Sequence, residues 1–311
     1  MRAVLLCGAV LGLWVPGVAQ AQEVVLEPSS KWQLDYADEK CRMGRTFGEG
    51  DARTVFLFEQ FAPGSSFSWT VAGSAVKALR RGRDMDVQFG PGFASFPVSQ
   101  SDSMTFGDFG EAVVANGYEP PNGIVITSAR VRESVRKANA GTPTGAATPP
   151  NQPAQRVLDP QHGRKIDHFV LGQKGQPRTL LRLGNMEAAF KAMNDCMDNL
   201  AHSWGLDPLT LRTQVTNVTW LNQREITRAI IAYYPSAALT SGKQANFSLR
   251  IIVAEDGSVA NCILTEQTTA EGFRDTVCPL ITRRGKFEPA RDAAGKGVKS
   301  FYTARIVYRI S

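Results

Sequence analysis

Three histidines are the residues best suited to acid–base or metal chemistry in this sequence: His162, His168 and His202. Histidine exchanges a proton near neutral pH and is a common metal ligand. His162 and His168 are six residues apart, and neither has a cysteine at the spacing that zinc sites use. His202 stands close to Trp204, near the end of a predicted helix. These spacings predict no metal site, and we expect no cofactor.

One short segment matches a nucleophile motif, because Ser134 and Lys137 have the S-x-x-K spacing of penicillin-binding enzymes. The partner motifs of those enzymes are absent, and so short a pattern often occurs by chance. The sequence also has no G-x-S-x-G, P-loop or G-x-G-x-x-G motif. We therefore expect no enzymatic activity. The alternative is an enzyme whose site in the N-terminal domain combines His168, His202 and a carboxylate.

The first 21 residues have the pattern of an export signal. Arg2 precedes an apolar run from Ala3 to Val15, and Ala19-Gln20-Ala21 supplies an A-x-A ending. The run is shorter than the roughly 20 residues that span a bilayer, so a membrane anchor is the less favoured alternative. We expect cleavage after Ala21 and an exported mature chain without a stable membrane span.

Four cysteines remain after removal of this signal, namely Cys41, Cys196, Cys262 and Cys278. Exported proteins meet an oxidising compartment in which disulfides form. Four cysteines permit three pairings. Two of them fall in each half of the chain, so the economical pairing is Cys41–Cys196 with Cys262–Cys278.

The excess of positive charge lies near the C-terminus. Residues 222–311 contain 13 basic and 8 acidic residues, a net charge of +5, whereas residues 22–221 contain 21 of each. Basic domains can bind nucleic acid. Here the basic residues are scattered without an aromatic platform, and the chain is expected to be exported, so we expect no nucleic-acid partner. A solvated surface and attraction to acidic peptides or anionic envelope surfaces are the open alternatives.

Residues 22–215 are predicted to form a mostly β domain, because short apolar or alternating runs are separated by Gly/Pro turns. The strand candidates are 54–59, 67–71, 86–89, 123–126, 168–172 and 179–183. Residues 139–156 are rich in Pro, Gly, Ala and Thr without apolar periodicity, which predicts a flexible loop. We expect an insertion within the domain rather than a linker, because a Cys41–Cys196 bridge would span it.

One amphipathic helix is predicted in this domain. Asn185 can cap its start, and Gly205 is placed to end it. Cys196 lies beside its apolar face, well placed to join the helix to the segment that holds Cys41. Apolar residues recur at spacings of three and four along the helix: Met186, Phe190, Met193, Met197, Leu200 and Trp204.

Residues 222–311 are predicted to form a helix, two strands, a second helix and a final strand. A capping-box pattern at Asn222 and Glu225 begins the first helix, and Pro235 ends it. Residues 247–253 alternate as a strand with one core face. Asp256-Gly257 supplies the hairpin turn, and residues 301–310 form the last strand. Two helices packed on a three-stranded antiparallel sheet would bury these apolar faces. The predicted fold is α+β.

This order of elements resembles the C-terminal domain of the TonB family. The resemblance rests on Tyr234-Pro235, Asp256-Gly257, Phe287-x-Pro289 and the aromatic last strand, and it covers residues 222–311. It implies a periplasmic, bacterial protein. In energy-transducing members, an uncleaved membrane helix couples to a proton-driven motor, and a long spacer follows it. Without such an anchor, the module here can bind but not pull.

The resemblance also implies the site and its partner. In the family, the last strand pairs with an extended peptide of an outer-membrane receptor by strand addition, and the segment before Tyr-Pro contributes contacts. The partner would be such a receptor or another envelope protein; a homodimerisation or packing unit is the alternative. The candidate peptide-binding residues are Tyr233, Tyr234, Pro235, Phe301, Tyr302, Thr303, Ala304, Arg305, Ile306, Val307, Tyr308 and Arg309.

Overall fold

The computed structural model describes residues 23–77, 79–80, 83–99, 104–120, 123–124, 157–232, 245–264 and 274–308. The predicted export signal 1–21, the predicted loop 139–156, Tyr233-Tyr234-Pro235 and Arg309 lie outside these residues. Within the described ranges, no helix is both long and apolar enough to cross a membrane.

The described residues up to 215, here called the N-terminal region, contain about twice as many strand as helical residues. Its strands are β1 (Glu23–Leu26), β2 (Gln33–Ala37), β3 (Lys40–Phe47), β4 (Thr54–Gln60), β5 (Phe67–Gly73), β6 (Asp84–Gly90), β7 (Phe96–Ser99), β8 (Met104–Thr105), β9 (Glu111–Glu119), β10 (Gly123–Ile124), β11 (His168–Gly172) and β12 (Arg178–Leu181). Its helices are α1 (Ser74–Lys77), α2 (Pro160–Lys165), α3 (Glu187–Ser203) and α4 (Pro208–Thr213).

These strands form two sheets. The order in the larger sheet is β10-β9-β5-β4-β3-β2, with β8 also paired to β9, and all of its pairs are antiparallel. The order in the smaller sheet is β1-β12-β11-β6-β7, in which only β1 runs parallel to its neighbour. The mostly β character predicted for this region is confirmed.

Aromatic side chains from the two sheets meet in one core. The ring of Phe56 on β4 lies 6.0 Å from that of Phe89 on β6 and 5.2 Å from that of Phe169 on β11. Helix α3 joins the same core, because the Phe190 ring lies 5.8 Å from that of Phe58. All five rings are fully buried. The sheets and α3 therefore share a single hydrophobic interior.

Helix α3 ends just before the predicted glycine, and the predicted cap Asn185 lies just before the N-cap residue Met186. The Glu187 N–H donates to Oδ1 of Asn185 at 2.9 Å, and Gly205 has a φ of +72° just beyond the helix. Helix α1 escaped prediction, and so did two six-residue helices, since so few residues cannot show an apolar period. Both begin with Asp-Pro: the Asp159 carboxylate caps α2 and the Asp207 carboxylate caps α4.

The C-terminal region, residues 216–308, is a smaller α+β unit. Its helices are α5 (Gln223–Ala232) and α6 (Arg274–Arg284). Its strands are β13 (Thr219–Trp220), β14 (Ala245–Val253), β15 (Val259–Leu264), β16 (Phe287–Glu288), β17 (Ala290–Arg291), β18 (Gly297–Val298) and β19 (Ser300–Tyr308). The main sheet has the order β15-β14-β19 and is antiparallel, which confirms the predicted three-stranded sheet with two helices.

The helices cover one face of this sheet. Ile226 and Ile230 of α5 and Ile281 of α6 are buried in the same cluster as Ile251 of β14. Trp220 extends the cluster, with its ring stacked 5.2 Å from that of Phe287. The short pair β13–β16, which the sequence did not suggest, brings these two rings together. The C-terminal core therefore already includes residues before position 222.

Candidate functional site

Strand β19 lies at an edge of the C-terminal sheet. It pairs with β14 over nine residues without interruption, from Val253 opposite Ser300 to Ala245 opposite Tyr308. Among the described residues, no strand pairs with its other side. Residues Phe301–Tyr308 of the predicted binding strand therefore lie on an edge strand. A strand edge offers backbone donors and acceptors to a partner strand.

The hairpin preceding β15 shows which residues of β19 face outward. The Ala254 N–H donates to the Ser258 carbonyl at 2.9 Å, so Val253 and Val259 form a non-hydrogen-bonded pair between β14 and β15. The backbone groups of Val253 therefore point the other way, toward Ser300 of β19. Backbone direction alternates along a strand.

This alternation divides the backbone groups of β19 into two sets. The even-numbered residues from Ser300 onward direct their N–H and C=O groups toward β14. Thr303, Arg305 and Val307 direct theirs away from it. These three residues are the natural contact points for an added strand, and they are spaced at every second position, as a ladder requires.

The side chain of Tyr302 points into the helix-covered face. Its ring lies 5.8 Å from that of Trp220 and 6.3 Å from that of Phe287, and its hydroxyl is 3.5 Å from Oε1 of Gln223. Burial raises the pKa of Tyr302. Ala304 packs against the same cluster. These two predicted site residues therefore support the edge strand from within, through their side chains.

The opposite face of the sheet is covered by the N-terminal region. Phe301 and Ile252 are buried in one cluster with Ala201, Leu206 and Leu211. The sequence interpretation that residues 247–253 have one core face is therefore wrong. Ile252 and Arg250 are each 1% exposed, because the N-terminal region packs where solvent was expected. Alternation of apolar residues could not show that the second face of this strand is also buried. The one signal in the sequence was Ile252, an apolar residue on the face that was expected to be polar.

The other edge of the sheet, β15, is less regular. Its pairing with β14 shifts between Ile252 and Val253, so one extra residue interrupts the ladder. Bulges blunt an edge against the addition of a further strand. A groove of about 530 Å³ lies beside β15, lined by Val259–Cys262 and by Cys278, Pro279, Thr282 and Arg283 of α6. Of the two edges, β19 is the one whose pairing with β14 is uninterrupted.

Two of the sequence motifs meet in the C-terminal region. Asp256 Oδ1 accepts hydrogen bonds from the Ser258 N–H at 2.9 Å and from its hydroxyl at 2.6 Å, which fixes the hairpin turn. These bonds lower the pKa of Asp256. Gly257 has a φ of +86°, and a Cβ there would lie 2.5 Å from the Phe287 carbonyl oxygen. The Asp-Gly turn therefore packs directly on the Phe287-x-Pro289 segment, and only glycine fits at position 257 without displacement.

Both disulfides of the economical pairing are present in the structure. Cys41 and Cys196 join β3 to α3 with a Cα–Cα distance of 6.1 Å. Cys262 and Cys278 join β15 to α6 with a Cα–Cα distance of 5.5 Å. Both distances lie in the range that the bond requires.

The histidines lie apart from this edge. His162 is 3.6 Å from a carboxylate oxygen of Asp159, and His168 is 3.5 Å from one of Asp167. His202 lies in the last turn of α3. In the part of the chain that the structure describes, no three His, Cys, Asp or Glu residues are grouped to hold a metal. Ser134 and Lys137 lie outside the described residues.

Comparison with known proteins supports the assignment of the C-terminal region. Residues 232–310 match the family described as Gram-negative bacterial TonB protein C-terminal. The resemblance to the TonB C-terminal domain is thereby confirmed. A solution NMR structure of the Pseudomonas aeruginosa TonB C-terminal domain is 20% identical over 25% of this chain and 77% of that chain, with a TM-score of 0.21. No curated protein matches the chain.

Proposed function

We propose that this protein binds an extended peptide of an outer-membrane receptor, or of another envelope protein, by strand addition to β19. The observation that carries the proposal is the uninterrupted nine-residue pairing of β19 with β14. This pairing leaves the backbone N–H and C=O groups of Thr303, Arg305 and Val307 directed away from β14. Main-chain hydrogen bonds to these residues would supply most of the affinity. The match of residues 232–310 to the TonB C-terminal family supports a link to outer-membrane transport.

The proposal includes export to the periplasm and removal of residues 1–21. A protein processed in this way binds its partner without transmitting force from a membrane anchor. Intact-mass analysis of the exported protein tests this part. A mass that includes residues 1–21 would instead support an anchored protein that can transmit force.

We propose two domains with the predicted bounds, 22–215 and 222–311. The N-terminal domain would serve as the body on which the peptide-binding edge is held. The positive charge of residues 222–311 would favour peptides that carry acidic residues.

A titration of the whole mature chain tests the peptide-binding proposal. Peptides from the periplasmic segments of outer-membrane receptors are added to isotope-labelled protein, and NMR shift changes are mapped. We expect the changes to cluster at residues 300–308. The proposal fails if no peptide binds at millimolar concentration, or if the changes cluster elsewhere.

Two substitutions at one position sharpen the test. Thr303→Pro removes an outward-facing N–H and leaves the ladder to β14 in place, so it should abolish binding. Thr303→Val keeps the N–H and should bind as the wild type does. Circular dichroism and the melting temperature check that both variants fold. Equal binding by a folded Thr303→Pro variant would contradict strand addition at this edge.

A homodimer formed through the same edge is the alternative to peptide binding. Two copies could pair β19 with β19, because each edge offers the same outward groups. Sedimentation of the peptide-free protein distinguishes the two readings. A stable dimer that Thr303→Pro dissociates, with no peptide binding, would assign the edge to self-association.

A further inference from the structure

A buried arginine joins the two regions of the protein. Arg250 lies in the middle of β14 and is 1% exposed. Arginine is rarely buried without partners, because removing its charge from water is costly. Its side chain leaves the sheet on the face away from α5 and α6. The partners of this charge must therefore come from outside the C-terminal region.

All three observed partners of Arg250 belong to the N-terminal region. The guanidinium pairs with the carboxylate of Glu39, in the turn between β2 and β3. Nη1 lies 3.4 Å from the carbonyl oxygen of Phe61, and the guanidinium carbon lies 3.4 Å from the centre of the Trp204 ring. An ion pair, a carbonyl contact and a cation–π contact hold one side chain. Burial lowers the pKa of Arg250, while the bond to Glu39 raises it.

The Cys41–Cys196 disulfide lies close in sequence to both side chains that contact Arg250, Glu39 and Trp204. Cys41 is two residues after Glu39, and Cys196 lies on α3, the helix that Trp204 follows directly. The bridge therefore ties the two segments that supply the carboxylate and the ring.

An apolar and a polar contact surround the buried charge. Ile252 and Phe301 pack on the N-terminal residues Ala201, Leu206 and Leu211. The Ser300 hydroxyl donates to Oε1 of Gln214 at 2.8 Å, and both residues are buried. These contacts extend the interface from β14 to the start of β19.

The register links this interface to the peptide-accepting edge. Arg250 lies directly opposite Thr303, whose backbone groups face outward. Neighbouring strands are about 4.8 Å apart. Arg250 and the proposed first contact point for a peptide therefore lie side by side on neighbouring strands of one sheet.

We propose that Arg250 is a positioning residue that locks the C-terminal sheet on the N-terminal region and holds the β19 edge at a fixed orientation. The locking itself is independent of the proposed function, whereas its effect on an extended peptide partner rests on that function. The TonB-like unit then acts as one body with the N-terminal region, and a peptide bound at β19 lies at a fixed place relative to it.

The test uses the whole mature chain, which has four tryptophans, labelled with 5-fluorotryptophan. A Trp204→Phe variant assigns the Trp204 fluorine resonance. We expect Arg250→Met to shift this resonance and to raise the radius of gyration measured by small-angle scattering. Arg250→Lys keeps the charge without the planar fork and should give an intermediate shift.

Arg284→Met is the matched control, because Arg284 pairs with Glu225 at the exposed surface of the same region. It should leave both readouts at their wild-type values. Glu39→Gln provides a second route if Arg250→Met fails to fold, and it should move the Trp204 resonance in the same direction. Unchanged resonance and radius in a folded Arg250→Met or Glu39→Gln variant would overturn the lock.

Peptide affinity tests the positioning step. With a synthetic receptor segment as the probe, we expect Arg250→Met to bind about fivefold or more weakly than Arg284→Met. Equal affinities, with the resonance and radius changed, would overturn the positioning role. If the wild type binds no peptide, the proposed function fails, and the resonance and radius still decide whether Arg250 locks the two regions.

Discussion

Thr303 lies directly opposite Arg250 in the register of β19 and β14. One residue presents backbone groups at the sheet edge, while the other anchors the sheet to the N-terminal region. The β19 edge and the buried residue Arg250 therefore lie next to each other in one sheet. The C-terminal region depends on the N-terminal region to cover the Arg250 face of its sheet.

The isolated fragment 216–311, which keeps the core residues Val218 and Trp220, should therefore self-associate. Removal of the N-terminal region exposes Ile252 and Phe301, which are 1% and 6% exposed in the whole chain. An exposed apolar patch favours association. Sedimentation velocity should show larger species for the fragment than for the mature chain at equal concentration. Ile252→Thr in the fragment should reduce the association, and a strictly monomeric wild-type fragment would contradict the expectation.

The two disulfides should stabilise the fold unequally. Cys41–Cys196 joins residues 155 apart, whereas Cys262–Cys278 joins residues 16 apart. In the chain-entropy model, closing loops of these lengths stabilises the folded protein by about 5 and about 3 kcal/mol respectively. Urea unfolding of the paired alanine variants measures both losses. A larger loss for the Cys262–Cys278 pair than for the Cys41–Cys196 pair would show that loop length does not control the difference.

The turn glycine of the β14–β15 hairpin should tolerate no side chain. Gly257→Ala places a Cβ 2.5 Å from the Phe287 carbonyl oxygen at a φ of +86°. Gly295→Ala is the matched control, because Gly295 has a φ of +79° with no atom within 4 Å of its Cβ position. The control should lose about 1 kcal/mol from backbone strain alone.

We expect Gly257→Ala to lose about 1–3 kcal/mol more than the control, because the turn must also move away from Phe287. The free energy of unfolding in urea measures both losses. Equal losses for the two variants would mean that the contact between the turn and Phe287 is relieved without cost.

The sequence predicted the elements whose apolar pattern lies entirely within their own residues. Helix α3 and strand β4 followed from their own apolar patterns, and the Asp256-Gly257 turn followed from its chemistry. The position of β19 at the sheet edge came from the resemblance rather than from any pattern within the strand. Strand pairing depends on residues far apart in the chain.

The interface around Arg250 escaped prediction for a physical reason. A charged residue within Leu249-Arg250-Ile251 is ordinarily read as the solvent-facing position of an alternating strand. The residues that bury it, Glu39 and Trp204, come from distant segments whose own patterns show no relation to β14. Only the folded arrangement of both regions brings these three side chains together.

The ion pair that joins α2 to α3 should make stability depend on acid pH. Hydrogen bonds from Arg164 and Lys191 lower the pKa of Glu187 from 4.5 to about 2. A carboxylate with a lowered folded-state pKa stabilises the protein above its unfolded-state pKa, and this contribution disappears as the pH falls through the folded-state pKa. The contribution of Glu187 should therefore be complete above about pH 4.5 and lost progressively toward pH 2.

Glu187→Gln removes this contribution while keeping the shape of the side chain. At pH 6, the variant should melt below the wild type, and the difference in melting temperature should shrink steadily between pH 4.5 and pH 2. Glu49→Gln, at an exposed position, is the control for the loss of one carboxylate. Calorimetry at several pH values measures both differences. A difference for Glu187→Gln that stays constant down to pH 2 would mean that the bonds to Arg164 and Lys191 do not stabilise the ionised carboxylate.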